Sequence, residues 1–290
     1  MAAGQVRLID HLRSQGLDGR ALRRALETGK IRLHDVPTGD GGRMVDPGAV
    51  RIWHQAPRLK VGRDPALVFK DSHLAVLWKP SGFLSVAAPR RGQDDNLVTW
   101  AARLLGRALP VHRLDEGTSG LMLVARTPQC QTGLKGLFAR HEIERRYLAL
   151  VHGAFARDPL EHSASLVGNR GDGRRGCGQA PDALEATTHF ARLAVLDHYA
   201  SVVQATLQTG RTHQVRLHLE DLGHPVLGDT LYGSRKVGRR ARRLALHAAV
   251  LGFRHPLTGK KLRFQAPLAD DLERLRRHLD TPVEEAERGR

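Results

Sequence analysis

The segment VHRLDEGTSGLMLVAR occupies residues 111–126. It places Asp115 after the basic pair His112-Arg113 and before a Thr118-Ser119-Gly120 turn. Residues 120–126 then form an apolar run ending in arginine, with the length and composition of a buried strand. Taken alone, an aspartate beside an arginine reads as a surface ion pair. Outward from this segment the chain mixes strands and helices. Residues 128–142 open on Pro128, which suits the first turn of a helix. LAVLW (74–78) is a buried-strand run closed by Lys79-Pro80, and Asn96 is a candidate N-cap for an amphipathic helix over 96–106. Residues 145–153, 188–196 and 200–208 read as strands, and 212–223 as a helix stopped by Gly223. This order lacks the regular βα alternation of a parallel sheet. It predicts an α+β fold, a mixed and largely antiparallel sheet flanked by helices and loops.

Composition narrows the partners. The chain has 290 residues, 46 Lys+Arg against 30 Asp+Glu, and a formal charge of +16. A balance that basic favours a polyanion, and nucleic acid is the usual one. It supplies affinity and steering but no reaction. An apolar run of about 18 residues is lacking, as is a signal-peptide core, so a cytoplasmic location is expected. Cys130 and Cys177 have no paired spacing and read as plain thiols. His213 and His218 stand five apart, without the spacing or intervening Glu of a zinc helix. With no GxGxxG opening a helix after a strand and no GxxxxGK[ST], neither a metal nor an organic cofactor is expected.

Residues 1–56 read as a small unit. Leu8, Ile9 and Leu12, then Leu22 and Leu26, recur at helical spacing, and residues 31–34 and 50–53 look like short strands. The helix-helix-strand layout resembles the alpha-L RNA-binding module. That likeness puts Arg20, Arg23, Arg24 and Lys30 on an RNA-facing side. The match is degenerate: Leu33-His34-Asp35 stands where that module has Val-Asn-Gly. A linker at 57–65, a large domain at 66–278 and a disordered polar tail at 279–290 complete the expected organisation. Two basic stretches stay open. GNRGDGRRGCGQAP (168–181) is a flexible basic loop or one that orders on RNA. GSRKVGRRARR (233–243) is a phosphate contact or a solvated run.

The 111–126 segment resembles the signature of the large bacterial family of RNA pseudouridine synthases. LAVLWKPSGFLSV (74–86), RRYLALVHG (145–153), GRTHQVRLHLEDLGHPVLGDTLYG (210–233) and LALHAAVLGFRHPLTGKKLRFQAP (244–267) resemble further family segments, in the family's order. The resemblance covers about residues 64–270. It implies the same α+β fold and an isomerase of uridines in structured RNA; the N-terminal module leans to large-subunit rRNA, with tRNA as the other substrate, and a monomer is favoured. The alternative is a non-catalytic RNA-binding or ribosome-assembly protein on that fold.

Turning uridine into pseudouridine breaks the N-glycosidic bond, rotates the uracil and rejoins it through carbon. The resemblance makes Asp115 the catalytic carboxylate, whether it attacks sugar or base or removes a ribose proton. It makes Arg211 the arginine paired with Asp115. Tyr147 becomes the ring that packs on the target base and shares in proton transfer. Uridine must leave its stack, at a cost of a few kcal/mol, and the resemblance gives Arg113 the role of filling the gap. Lys79 flanks the site as phosphate contact or scaffold. Two departures, Gly117 in place of the family's Asp before Thr-Ser-Gly and Arg146 in place of Lys before the Tyr, bear on substrate detail.

Overall fold

A computed structural model describes residues 5–27, 31–33, 36–37, 42, 44–52, 64–87, 96–156, 159–168, 174–196, 199–234, 237 and 241–280. The linker read at 57–65 lies almost wholly outside these residues, as does the tail beyond 280. Helix α6 (below) runs through Asp280, two residues into the stretch read as tail.

The N-terminal elements are β1 (Val6–Arg7), α1 (Leu8–Ser14), α2 (Gly19–Glu27), β2 (Ile31–Leu33), β3 (Val36–Pro37), β4 (Met44–Val45) and β5 (Val50–Ile52). They enclose a core of their own, with Leu8, Leu12, Leu22, Ala25, Ile31 and Val45 buried and Ile9 packed against them. The spacing read at Leu8, Ile9, Leu12 and Leu22 is therefore the inward stripe of α1 and α2, while the Leu26 side chain lies outside the described residues. Both helices and both strands stand where they were expected.

The rest is built on one large sheet. Its strands are β6 (Ala66–Lys70), β7 (Leu74–Lys79), β8 (Leu109–Pro110), β9 (Ser119–Ala125), β10 (Glu144–His152), β11 (Leu160–Val167), β12 (Gly176–Cys177), β13 (Leu184–Leu196), β14 (Ala200–Leu207), β15 (Leu246–Arg254) and β16 (Lys261–Gln265). The order is β12-β11-β13-β14-β10-β15-β9-β7-β6, with β16 beside β15 and β8 beside β9. Every described ladder in it is antiparallel except β9–β15, where Ser119 pairs His247 and Gly120 pairs Ala248. The mixed, mostly antiparallel α+β fold is the one expected.

Helices α3 (Leu97–Leu105), α4 (Pro128–Ala139), α5 (Gln214–Asp221) and α6 (Asp270–Asp280) cover the sheet. Period-two alternation divides the strand side chains between two faces. Leu74, Val76 and Trp78 of β7 join the core under α4. Ala75 and Leu77 join the core under α3. That is why β7 and β9 are buried throughout and read as unbroken apolar runs. Asn96 caps α3, its side-chain oxygen accepting from the Thr99 N–H at 3.0 Å. A third core, around β10, β14 and α5, contains Val151, Val203 and Leu219.

Candidate active site

Asp115 sits in the loop between β8 and β9, and the loop after β7 holds it from below. Lys79, the last residue of β7, is fully buried. Its ammonium donates to the carbonyls of Pro80 at 3.0 Å, Phe83 at 2.6 Å and Glu116 at 2.9 Å. Ser81 Oγ donates to the Gly117 carbonyl at 2.8 Å, and the Gly82 N–H to the Glu116 carbonyl at 2.8 Å. Ser85 Oγ donates to the Leu114 carbonyl at 2.7 Å and accepts from the Leu114 N–H at 3.0 Å. The Asp115 backbone is thus braced on both sides. Burial pulls the Lys79 ammonium down to about 7, against the charges of Asp115 and Glu116. Of the two roles left open for Lys79, this geometry favours the scaffold. A fully buried amine with three carbonyl partners has no access to phosphate.

Glycine makes the close approach possible above the loop. Gly120 has φ +118°, and a Cβ there would overlap the backbone carbonyl of Ala248. Only glycine lets β9 bring the 113–118 loop flush against β15.

The carboxylate of Asp115 is largely buried, at 19% side-chain exposure, and meets a cation from α5. Arg216 Nη1 donates to Asp115 Oδ2 at 3.1 Å. The same guanidinium holds Asp229 bidentately, Nε to Oδ2 at 2.7 Å and Nη2 to Oδ1 at 2.9 Å. Asp229 is fixed in turn by the N–H groups of Leu231 at 2.9 Å and Tyr232 at 3.1 Å. Burial pushes the Asp229 carboxyl up, but the Arg216 bonds outweigh it and hold it below the usual range. Arg216 also lies over the Tyr232 ring, 4.9 Å from its centroid. An unpaired guanidinium this deep would cost several kcal/mol. Asp229 removes that cost and leaves an N–H donor aimed at Asp115.

The arginine expected here was Arg211, and that pairing is not what the structure has. Arg211 precedes α5. Its Nε donates to the Glu185 carbonyl at 3.2 Å. Its backbone N–H donates to Gln214 Oε1 at 2.9 Å. Arg216, five residues on, lies inside the first turn of a helix whose residues Gln214 to Leu219 are all buried. Arg211 still lines the cavity above Asp115, together with Arg113, Thr118, Tyr147 and His213. It belongs to the rim and Arg216 to the floor.

Tyr147 is brought to the same cavity by β10. The β10–β15 ladder shifts register between Arg146 and Tyr147, and such bulges re-aim side chains. The ring packs between two of the cores. Burial, the largest influence, pushes its phenol up to about 12, so it stays protonated at neutral pH. Arg113 is exposed beside Asp115 and lines the cavity on both sides of that residue. His112 points the other way: its Nε2 accepts from the Leu123 N–H at 2.9 Å. Burial and Arg145 bring that imidazole down to about 3, so it is a neutral acceptor.

Among the more remote candidates, Arg20 is exposed on α2. The side chains of Arg23 and Arg24, and Lys30 altogether, lie outside the described residues. Arg243, from the second basic stretch, is engaged by Asp271 at 2.7 Å rather than free for phosphate. Arg216, Asp229, His213 and Tyr232 were not singled out from the sequence as site residues, although all four lie in the quoted 210–233 segment. The available signal was a charged residue inside a helix buried on every side, which demands a carboxylate partner.

Comparison with known proteins bears on the family and the fold. A family model described as RNA pseudouridylate synthase matches residues 73–221. A ribosomal large subunit pseudouridine synthase D of Zymomonas mobilis is 38% identical over 237 residues, 72% of this chain and 71% of the relative. A dual-specificity RNA pseudouridine synthase RluA of Pasteurella multocida is 38% identical over 208 residues, 71% of this chain and 95% of the relative. Among solved structures, human RNA pseudouridylate synthase domain containing 4 has a TM-score of 0.61 at 21% identity. That match covers 74% of this chain and 92% of the other, and is a likeness of fold.

Proposed function

This chain belongs to the RNA pseudouridylate synthase family, and from that premise we propose that Asp115 carries its chemistry. The protein is an RNA pseudouridine synthase, an isomerase whose partner is RNA. One observation carries the assignment of Asp115. Its carboxylate is held at one oxygen by an arginine that is itself locked on Asp229, on a cavity walled by Tyr147. Asp115 is thus a carboxylate with Arg216 as its counter-charge, placed for attack or proton removal. Tyr147, protonated, supplies a flat face for uracil and a proton donor rather than a base. Arg113, exposed beside the carboxylate, is placed to take the stacking position of the flipped uridine. Arg211 on the rim supplies a phosphate contact.

We further infer a large-subunit ribosomal RNA as substrate, supported by relatives named for that activity. The N-terminal unit serves as an alpha-L-like RNA grip through Arg20, Arg23, Arg24 and Lys30. The enzyme works as a cytoplasmic monomer without metal or cofactor. Among the described residues, no helix is long and apolar enough to cross a membrane. The test is carbodiimide mapping of pseudouridine in ribosomal RNA from a strain lacking the gene, with the wild-type protein or Asp115→Asn added back. Wild type restores the missing site and Asp115→Asn does not, while both bind RNA. An Asp115→Asn rate within about tenfold of wild type, about 1.4 kcal/mol of barrier, contradicts the assignment.

A further inference from the structure

His213 precedes α5 and has a left-handed backbone, φ +60°. That conformation is uncommon for a residue with a Cβ, and strain of this kind persists where surrounding structure over-determines it. The imidazole spans two groups. Its Nδ1 lies 2.7 Å from the Tyr232 hydroxyl. Its Nε2 lies 3.6 Å from Asp115 Oδ1, the oxygen that Arg216 does not hold. The ring meets Tyr232 edge-on, with centroids 5.5 Å apart.

Tyr232 is itself anchored. It packs with Cys177 of β12 against Leu166, Ala186 and Leu217. Where the Tyr232 hydroxyl donates to His213 Nδ1, the neutral imidazole carries its proton on Nε2, on the side of Asp115. A separation of 3.6 Å is longer than a closed hydrogen bond. Such spacings at a site without substrate tighten when substrate binds.

We propose that His213 is a positioning residue for Asp115: it holds Oδ1 while Arg216 holds Oδ2, and the β11–β12 hairpin sets the imidazole through Tyr232. This gives the basic 168–181 stretch a second use besides charge, since its Cys177 packs in the cluster that seats Tyr232. The inference rests on Asp115 being the reacting carboxylate. The charged and titratable groups around the His213–Asp115 pair are Arg216, Asp229, Arg175, Tyr232 and Lys79, with Tyr147, Arg113, Arg211 and Glu116 on the same cavities. Burial, with Arg216 and Arg175, lowers the imidazole below its usual value against Asp115 and Asp229, and so keeps it neutral.

The test uses full-length protein and ribosomal RNA from the strain lacking the gene, in single turnover with enzyme in excess. His213→Gly keeps the left-handed turn without steric cost and removes only the ring. Tyr232→Phe keeps the ring under Arg216 and removes only the hydroxyl. Each should slow turnover about tenfold or more, the scale of one hydrogen bond to a charged group, with unchanged RNA affinity and melting temperature. The double variant should be no slower than the slower single one. A carboxylate deprived of a donor takes up a proton more readily, so the acidic limb of the rate profile should move to higher pH in His213→Gly. A rate within about twofold of wild type with an unmoved limb overturns the proposal. So does a decline that tracks weakened RNA binding or melting, which would make His213 an RNA contact or a fold residue. If wild type itself forms no pseudouridine in this RNA, the substrate reading has failed instead.

Discussion

Arg216 and Arg211 are five positions apart in one segment and do different work. Only Arg216 can serve Asp229 bidentately and still offer Asp115 an N–H. Lysine keeps the charge but lacks this fork. Arg216→Lys should therefore lower the single-turnover rate by roughly ten- to a hundredfold, with RNA affinity retained. Arg211→Met should change the rate less and weaken binding instead, reducing its salt dependence by somewhat less than one unit of log affinity per log salt. Paired salt titrations and single-turnover rates separate the two. That Asp115, Tyr147 and Arg113 come together on one cavity was legible from motif order. The arginine was not, because position in a segment does not say which side of a helix start faces inward. That depends on the left-handed turn at His213, for which a histidine gives no warning. Lys79 makes the complementary case. If it braces backbone rather than phosphate, Lys79→Met should leave the salt slope of RNA binding unchanged while lowering stability. With its folded pKa near 7 against an ordinary 10.5, the unfolded chain binds more protons than the folded one between those values. Lysine's contribution to stability then rises with pH across that window. The stability gap between wild type and Lys79→Met, by urea unfolding, should widen from about pH 7 to about pH 10.

At the scale of elements, the decisive pairing is β9 on β15. Gly120 has no room for a side chain: its Cβ would overlap a backbone carbonyl, which cannot swing aside. Gly120→Ala should cost at least about 2 kcal/mol, from clash and positive φ together. A melting temperature within a degree of wild type would contradict the close approach. Most elements could be placed from the sequence because the two periods were clean: apolar runs at 74–78 and 120–126 became strands buried on both faces, and Asn96 and Gly223 mark helix ends as expected. Pairing was not legible. Nothing in β15 says that it enters between β9 and β10, because a strand buried on both faces carries no mark of its neighbours. The β11–β12 hairpin was also missed as an element. Its strand Leu160–Val167 interleaves Glu161, His162, Ser163 and Ser165 with few apolar residues, so no apolar run marks it in the sequence.

For the whole molecule, the formal charge of +16 must be distributed between grip and catalysis. Removing residues 1–56 should weaken RNA binding and flatten its salt dependence, by somewhat less than one unit for each phosphate that those residues engage. Single-turnover chemistry on saturating RNA should survive, since the smaller core is made of its own residues while Asp115, Tyr147 and Arg216 all belong to the large sheet and its helix α5. Truncation that stops chemistry without altering the slope would make the N-terminal unit part of the catalytic fold. The place of β15 also governs when activity can first arise. The strand flanking the catalytic loop on one side and Tyr147 on the other is Leu246–Arg254, made well after the aspartate and the arginine. A nascent polypeptide therefore carries the aspartate for 131 residues, and the arginine for 30, before Leu246 opens the strand that joins their supports. Pairings this distant in sequence close slowly. The enzyme should stay silent until β15 and β16 have left the ribosome, and then acquire its sheet and its activity in one step.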